Sequence, residues 1–261
     1  MEALQREIAA AATFMDDVDL APADVAIESA FDLTSGLPPT AAETLAPDPE
    51  GPVVVGIDQA FRPGPEGSDE SGEAISAAVA LRGDSVVEYA HAITPLSIPY
   101  VPGLLAFREG GPILAALDAL AVEPDLLVFD GSGRIHFRQA GIATHVGVVH
   151  DIPSVGVAKS LLCGEPDENA DGRPEGWRTP IRADGSVETT PRSEDGGDTI
   201  IGHAYQSRQY PNSRRVNPLY VSPGHRVSPA TTVELVAALC GGYKLPEPTR
   251  LADAYADAVK Q

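Results

Sequence analysis

Lysine is nearly missing from this chain of 261 residues: Lys159, Lys244 and Lys260 stand against fifteen arginines. Cysteine is scarcer still. Cys163 and Cys240 have no metal or redox spacing and read as structural intracellular thiols. No apolar run approaches the roughly 18 residues of a membrane-spanning helix, which argues against a helical membrane protein. The start, Met1-Glu2-Ala3, has neither the basic residues nor the apolar stretch of a signal peptide, so a cytoplasmic location and no membrane partner are expected. There is no internal repeat. Apolar content is ample: with 43% hydrophobic residues, the chain can bury a substantial core as one large domain or a domain with extensions.

Positive charge is short as well. Eighteen basic residues face thirty-eight acidic ones, net −20, the wrong sign for a nucleic-acid binder if net charge alone chose partners. The distribution says more. Residues 1–50 carry −10 and residues 165–200 carry −6, which leaves only −4 on the rest. Residues 201–226 contain Arg208, Arg214, Arg215 and Arg226 and no acid, so phosphate contacts are expected there, with Arg214 and Arg215 as candidates. Few lysines with abundant Asp, Glu, Ala and Gly resemble the composition of proteins from halophilic archaea. A densely acidic surface stays hydrated where salt screens charge over a few ångströms. An acidic DNA-mimicking or interaction surface is the alternative.

Residues 3–15 have the pattern of a short amphipathic helix, and the Pro-rich stretch 36–52 that of an irregular extension or linker. The expected division is an acidic extension over 1–50 and one domain over 51–261, with an acidic loop or extended hairpin inserted at 165–200. The domain opens with Val53-Val54-Val55-Gly56-Ile57-Asp58, a buried strand ending in a carboxylate. Strands at 74–81 and 86–93 flank Arg82-Gly83-Asp84-Ser85, a hairpin turn. A helix is predicted over 103–121, and Leu126 to Asp130 repeats the apolar-then-carboxylate pattern. A helix over 141–150, strands at 154–158, 199–205 and 217–221, and helices at 228–240 and 249–259 follow. Ser228 is the expected N-cap of the first of these helices, with Pro229 at its first position. The order implies an α/β fold, a mixed sheet with helices on its faces.

If their strands are parallel neighbours, Asp58 and Asp130 lie side by side at one sheet edge, and paired carboxylates there suit Mg²⁺ or Mn²⁺. Either aspartate alone reads equally as a turn cap. Glu109, early in the intervening helix, reads as a third member or as a solvated helix residue. Taken singly, Lys159 is a surface lysine and His225 a structural histidine.

The motifs Pro99-Tyr100-Val101-Pro102-Gly103 with Phe107-Arg108-Glu109, Phe129-Asp130-Gly131, Gly156-Val157-Ala158-Lys159, Asn217-Pro218-Leu219 with Gly224-His225-Arg226-Val227-Ser228, and Leu245-Pro246-Glu247-Pro248-Thr249-Arg250 resemble those of the endonuclease V family, in the same order. The resemblance spans roughly 52–258. It implies a ribonuclease H-like fold and a magnesium-dependent endonuclease, Mn²⁺ being the alternative ion. The implied cut is at the second phosphodiester bond 3′ of a deoxyinosine, leaving 3′-hydroxyl and 5′-phosphate ends, with later repair enzymes removing the lesion. By the same resemblance Asp58, Glu109 and Asp130 are metal residues, Lys159 stands beside the scissile phosphate and His225 is an active-site histidine. Tyr100, held between Pro99 and Pro102, matches a wedge that holds the duplex open. Leu105, Gly131, Gly133 and Ile142 match the pocket for the extruded base.

Two departures weaken the transfer of base specificity. The family often has His where Ser132 stands, and Pro where Phe137 stands. Alternatives are an inosine-directed RNA endonuclease, another nuclease of the same fold, or a non-catalytic nucleic-acid-binding protein. A monomer is expected.

Overall fold

The computed structural model describes residues 1–44, 49–64, 72–96, 105–188 and 199–261. Valine, isoleucine and alanine dominate its strands, as β-branched and small residues suit a sheet covered on both faces. The first strand, β1 (Val54–Arg62), runs antiparallel to β2 (Glu73–Arg82), which pairs in turn with β3 (Ser85–Pro95). The β2–β3 turn uses Gly83 at φ +54°, a left-handed conformation that glycine adopts without steric cost.

The helix α2 (Leu105–Asp118) leads to β4 (Leu126–Asp130), which lies parallel to β1 on its other side. Helix α3 (Ile142–His150) leads to β5 (Ser154–Ala158), parallel to β4. Inside the expected acidic insertion, β6 (Glu165–Pro166) and β7 (Arg178–Arg182) form a hairpin that joins the main sheet through β8 (Ile200–Tyr205). The strand β9 (Leu219–His225) runs antiparallel to both β5 and β8. The resulting nine-stranded mixed sheet has the order β3-β2-β1-β4-β5-β9-β8-β7-β6.

Helices cover both faces. On one, α2 and α3 pack Ile113, Ala116 and Val146 against Val55, Ile57 and Phe129. On the other, α4 (Pro229–Ala238) and α5 (Glu247–Lys260) cover Val54, Val128 and Val157. Ser228 caps α4, its side chain accepting the Thr231 N–H. Gly56 explains how closely α5 approaches: a Cβ there would stand 2.0 Å from the Pro248 carbonyl oxygen.

Among the described residues ahead of β1, the regular pieces are α1 (Glu2–Ala11) and a single 3-10 turn at Pro22–Asp24, yet the segment packs onto the domain. Val25 and Ile27 enter the α4/α5-side core. Asp16 accepts from the Ser228 N–H and the Thr231 hydroxyl, and Arg226 pairs with Asp17 at 2.9 Å. Glu247, fully buried and paired with Arg250 at 2.6 Å, accepts the Phe31 N–H.

Candidate active site

Parallel pairing of β1 and β4 in the register Ile57 to Phe129 puts Asp58 and Asp130 one step further along, side by side. Asp130 ends its strand as expected. Asp58 does not: β1 continues to Arg62, so this carboxylate is held mid-strand by pairing with Ala77 on β2. Burial and the neighbouring Asp130 charge push Asp58 up to about 8. Glu109, on the second turn of α2, faces the same pocket, and burial pushes it up to about 7 against the pull of Arg108. The pocket has a volume of about 200 Å³, with Asp58, Gln59, Glu109 and Asp130 set between the apolar walls of Phe61 and Ile142.

Lys159, just past β5, reaches Asp130 with Nζ–Oδ2 at 2.5 Å. Burial opposes its charge, yet Asp130, Asp58 and Asp253 together hold its pKa above the ordinary value. Asp253 is the residue that sequence reasoning missed. It projects from α5 to within hydrogen-bonding reach of Asp58, so four acids and a lysine from five elements meet at this edge. Its one sequence signal was weak, an acid directly after the buried pair Leu251-Ala252 on an amphipathic helix that also carries Asp257.

His225 is a correction. It pairs with Ser154 at the start of β5, three residues below Val157, which is the partner of Asp130. At strand rise that is about 10 Å from the carboxylates, toward the opposite sheet edge. There its Nε2 meets Asp151 at 3.1 Å and its Nδ1 accepts the Thr13 N–H at 3.2 Å, so it anchors the N-terminal segment.

The other expected substrate residues fall into three groups. Gly131 and Ile142 are together beside the pocket, a Cβ on Gly131 falling 2.6 Å from Ile142 Cγ2. Gly133 is buried, and a Cβ there would stand 2.3 Å from the Pro223 carbonyl oxygen, so tight backbone packing already uses its small size. Leu105 begins α2. Pro99, Tyr100 and Pro102 lie outside the described residues. Arg214 and Arg215 are exposed in the loop between β8 and β9, which opens at the same sheet edge as Lys159; Arg214 also donates to the Gly172 carbonyl at 3.3 Å.

Among the described residues no three His, Cys, Asp or Glu side chains close into a ready-made metal cage. The oxygen donors still fit a small hard cation that keeps part of its water shell and binds through one or two carboxylates together with substrate phosphate. Gln59 Oε1, buried and without a partner, is a further oxygen beside Asp58.

Acids crowded onto parallel strands with a lysine among them are of use to a protein that cleaves an anionic ester, and this sheet order with these groups defines a ribonuclease H-like nuclease. A family model described as Endonuclease V matches residues 41–254, and the chain belongs to that family. Endonuclease V of the haloarchaeon Natronomonas pharaonis is 53% identical over 260 residues, 100% of this chain and 90% of that protein. The crystal structure of endonuclease V from Streptomyces avermitilis is 32% identical, covering 99% of this chain and 90% of that one, with a TM-score of 0.68. The Ciona intestinalis enzyme, in complex with a 24mer DNA containing an inosine followed by a ribo-adenosine, shares the fold at 23% identity, 99% and 95% coverage and a TM-score of 0.68. The chain is therefore an endonuclease with the expected α/β fold, and haloarchaeal proteins are among its relatives.

Proposed function

We propose that this endonuclease is a cytoplasmic repair enzyme that nicks DNA at the second phosphodiester bond 3′ of deoxyinosine, acting as a monomer with Mg²⁺ or Mn²⁺. The observation that carries the reading is the side-by-side placement of Asp58 and Asp130, with Lys159 on Asp130. Asp58 and Asp130 would hold the ion, with Glu109 and Asp253 available to complete its surroundings or orient the attacking water. When bound, a divalent ion supplies positive charge to the phosphate and acidifies that water. Lys159 adds fixed positive charge where the transition state gathers negative charge. Gly131 and Ile142 offer the extruded base a small-residue floor and an apolar wall, Tyr100 fills the gap left in the duplex, and Arg214 and Arg215 contact phosphates.

The test is cleavage of matched duplexes with and without one deoxyinosine, in molar KCl with Mg²⁺, beside the Asp58→Ala variant. A single nick past the 3′ neighbour of the inosine, absent from the plain duplex and the variant, is expected. Cutting that ignores inosine would refute the repair role. An RNA arm belongs in the same experiment, because the nucleic acid bound to the Ciona enzyme carries a ribonucleotide after its inosine.

A further inference from the structure

We propose that Lys244 forms a second phosphate subsite, contacting a linkage next to the one cleaved on the substrate strand. This rests on the nuclease reading above and adds a contact to it. Position is the first ground. Ser207, just past β8, donates its hydroxyl to the Lys244 carbonyl at 2.6 Å. Ala158 of β5 pairs with Tyr220 of β9, which pairs with Ala204 of β8. Lys159 and Ser207 therefore leave the sheet at one edge, two strands and about 10 Å apart. Burial, and then repulsion from Lys159, lower the Lys244 pKa, so the two ammonium groups feel each other.

The second ground is charge. Lys159 has Asp130, whereas Lys244, half-buried, makes no ion pair among the described residues. In a chain with thirty-eight acids, an ammonium that feels another ammonium and has no carboxylate in ion-pair contact among the described residues is poised for an external anion. Lysine usage sharpens this, since two of only three lysines lie at this sheet edge while Lys260 stands exposed on the last turn of α5.

The third ground is rigidity. The α4–α5 loop that presents Lys244 is pinned by the Glu247 N–H donating to the Leu239 carbonyl at 2.9 Å. Gly241 packs so closely that a Cβ there would stand 2.7 Å from Ala30 N, and Arg250 lies 4.4 Å from the centre of the Tyr243 ring. A cation on a pinned loop is held ready for its ligand, which limits the ordering cost of binding. A phosphodiester suits it, because its charge is permanent and repeats along the strand that Lys159 already meets.

The experiment is anisotropy binding of an inosine-containing duplex to the full-length protein across KCl concentrations, with Ca²⁺ replacing Mg²⁺ to prevent cutting. Lys244→Ala is expected to weaken low-salt binding by about tenfold and to reduce the salt slope by about one. Lys244→Arg should restore the slope, which a merely structural lysine would have no reason to do. Lys260→Ala removes the same charge elsewhere and should match the parent. Cleavage of the same duplex in Mg²⁺ separates the two possible failures. A parent protein that binds and cuts, with Lys244→Ala equal to it in affinity and slope, would overturn the subsite alone. A parent protein that neither binds nor cuts would overturn the nuclease reading together with it.

Discussion

Asp58 is where activity and stability pull apart. Its carboxyl, pushed up to about 8 by burial and by Asp130, keeps a proton in the folded protein that the unfolded chain releases near pH 4. Between about pH 4 and pH 8 the folded state binds more protons, so this group makes the metal-free protein less stable as pH rises through that window. Asp58→Asn removes the ionisation. Its melting temperature without metal should exceed the parent's by a few degrees, about 2–4 °C at pH 8, and converge with it toward pH 4. Cleavage should fall by about a thousandfold or more. A variant that melts lower at pH 8 would show that the carboxylate is stabilised by neighbours rather than strained by them. The aspartate pair and Lys159 were legible because each follows an apolar strand, where a charged residue stands out. Asp253 was not, since an acid on an amphipathic helix resembles any solvated residue until α5 is docked on β1. His225 misled for the opposite reason: a histidine in a motif attracts a chemical role, and only strand register showed it facing the N-terminal segment.

Elements position these residues through close contact, and Gly56 is the tightest such point at the site. The Cβ of Gly56→Ala would overlap the Pro248 carbonyl, and backbone cannot turn aside as a side chain can. The strain should force α5 away from β1 and carry Asp253 from Asp58. We expect a loss of about 1–3 kcal/mol or more in chemical denaturation, with a parallel drop in cleavage, although no carboxylate is altered. Full activity with native stability would mean that α5 does not set the acid cluster. Most strands were legible for the same reason that this contact exists: short apolar runs bounded by turn residues have few ways to pack. The run Ser154 to Ala158 appears as read, and the Gly83 hairpin closes where expected. Strand ends were harder to see. β1 extends past Asp58 through Gln59, Phe61 and Arg62, because pairing with β2 rather than apolarity holds those residues, and β9 passes through Pro223 and Gly224 to His225. The insertion read as a loop or an extended hairpin, and β6 and β7 form the hairpin; its polar sequence left the choice open because edge pairing with β8 holds these strands.

At the scale of the whole molecule the governing quantity is a net charge of −20. Self-repulsion on that scale acts across the surface, and salt that shortens the screening length from about 10 Å at 0.1 M to about 3 Å at 1 M should relieve it. The melting temperature should therefore rise by about 5 °C or more between 0.1 M and 2 M KCl, and a flat or falling trend would refute the halophilic reading of the surface. The same screening reshapes substrate binding. Counterion release, which rewards each arginine–phosphate contact at low salt, fades as salt rises, while stacking and insertion do not depend on it. Arg214 is exposed and its expected phosphate contact is of the screened kind, whereas an aromatic wedge at Tyr100 would act by filling an apolar gap. In molar KCl, Tyr100→Ala should weaken binding to the inosine duplex more than Arg214→Ala does, and at low salt the gap should narrow or reverse. Affinities for both variants measured at the two salts decide the matter: a larger loss for Arg214→Ala in high KCl would place recognition in the cationic loop instead of the wedge.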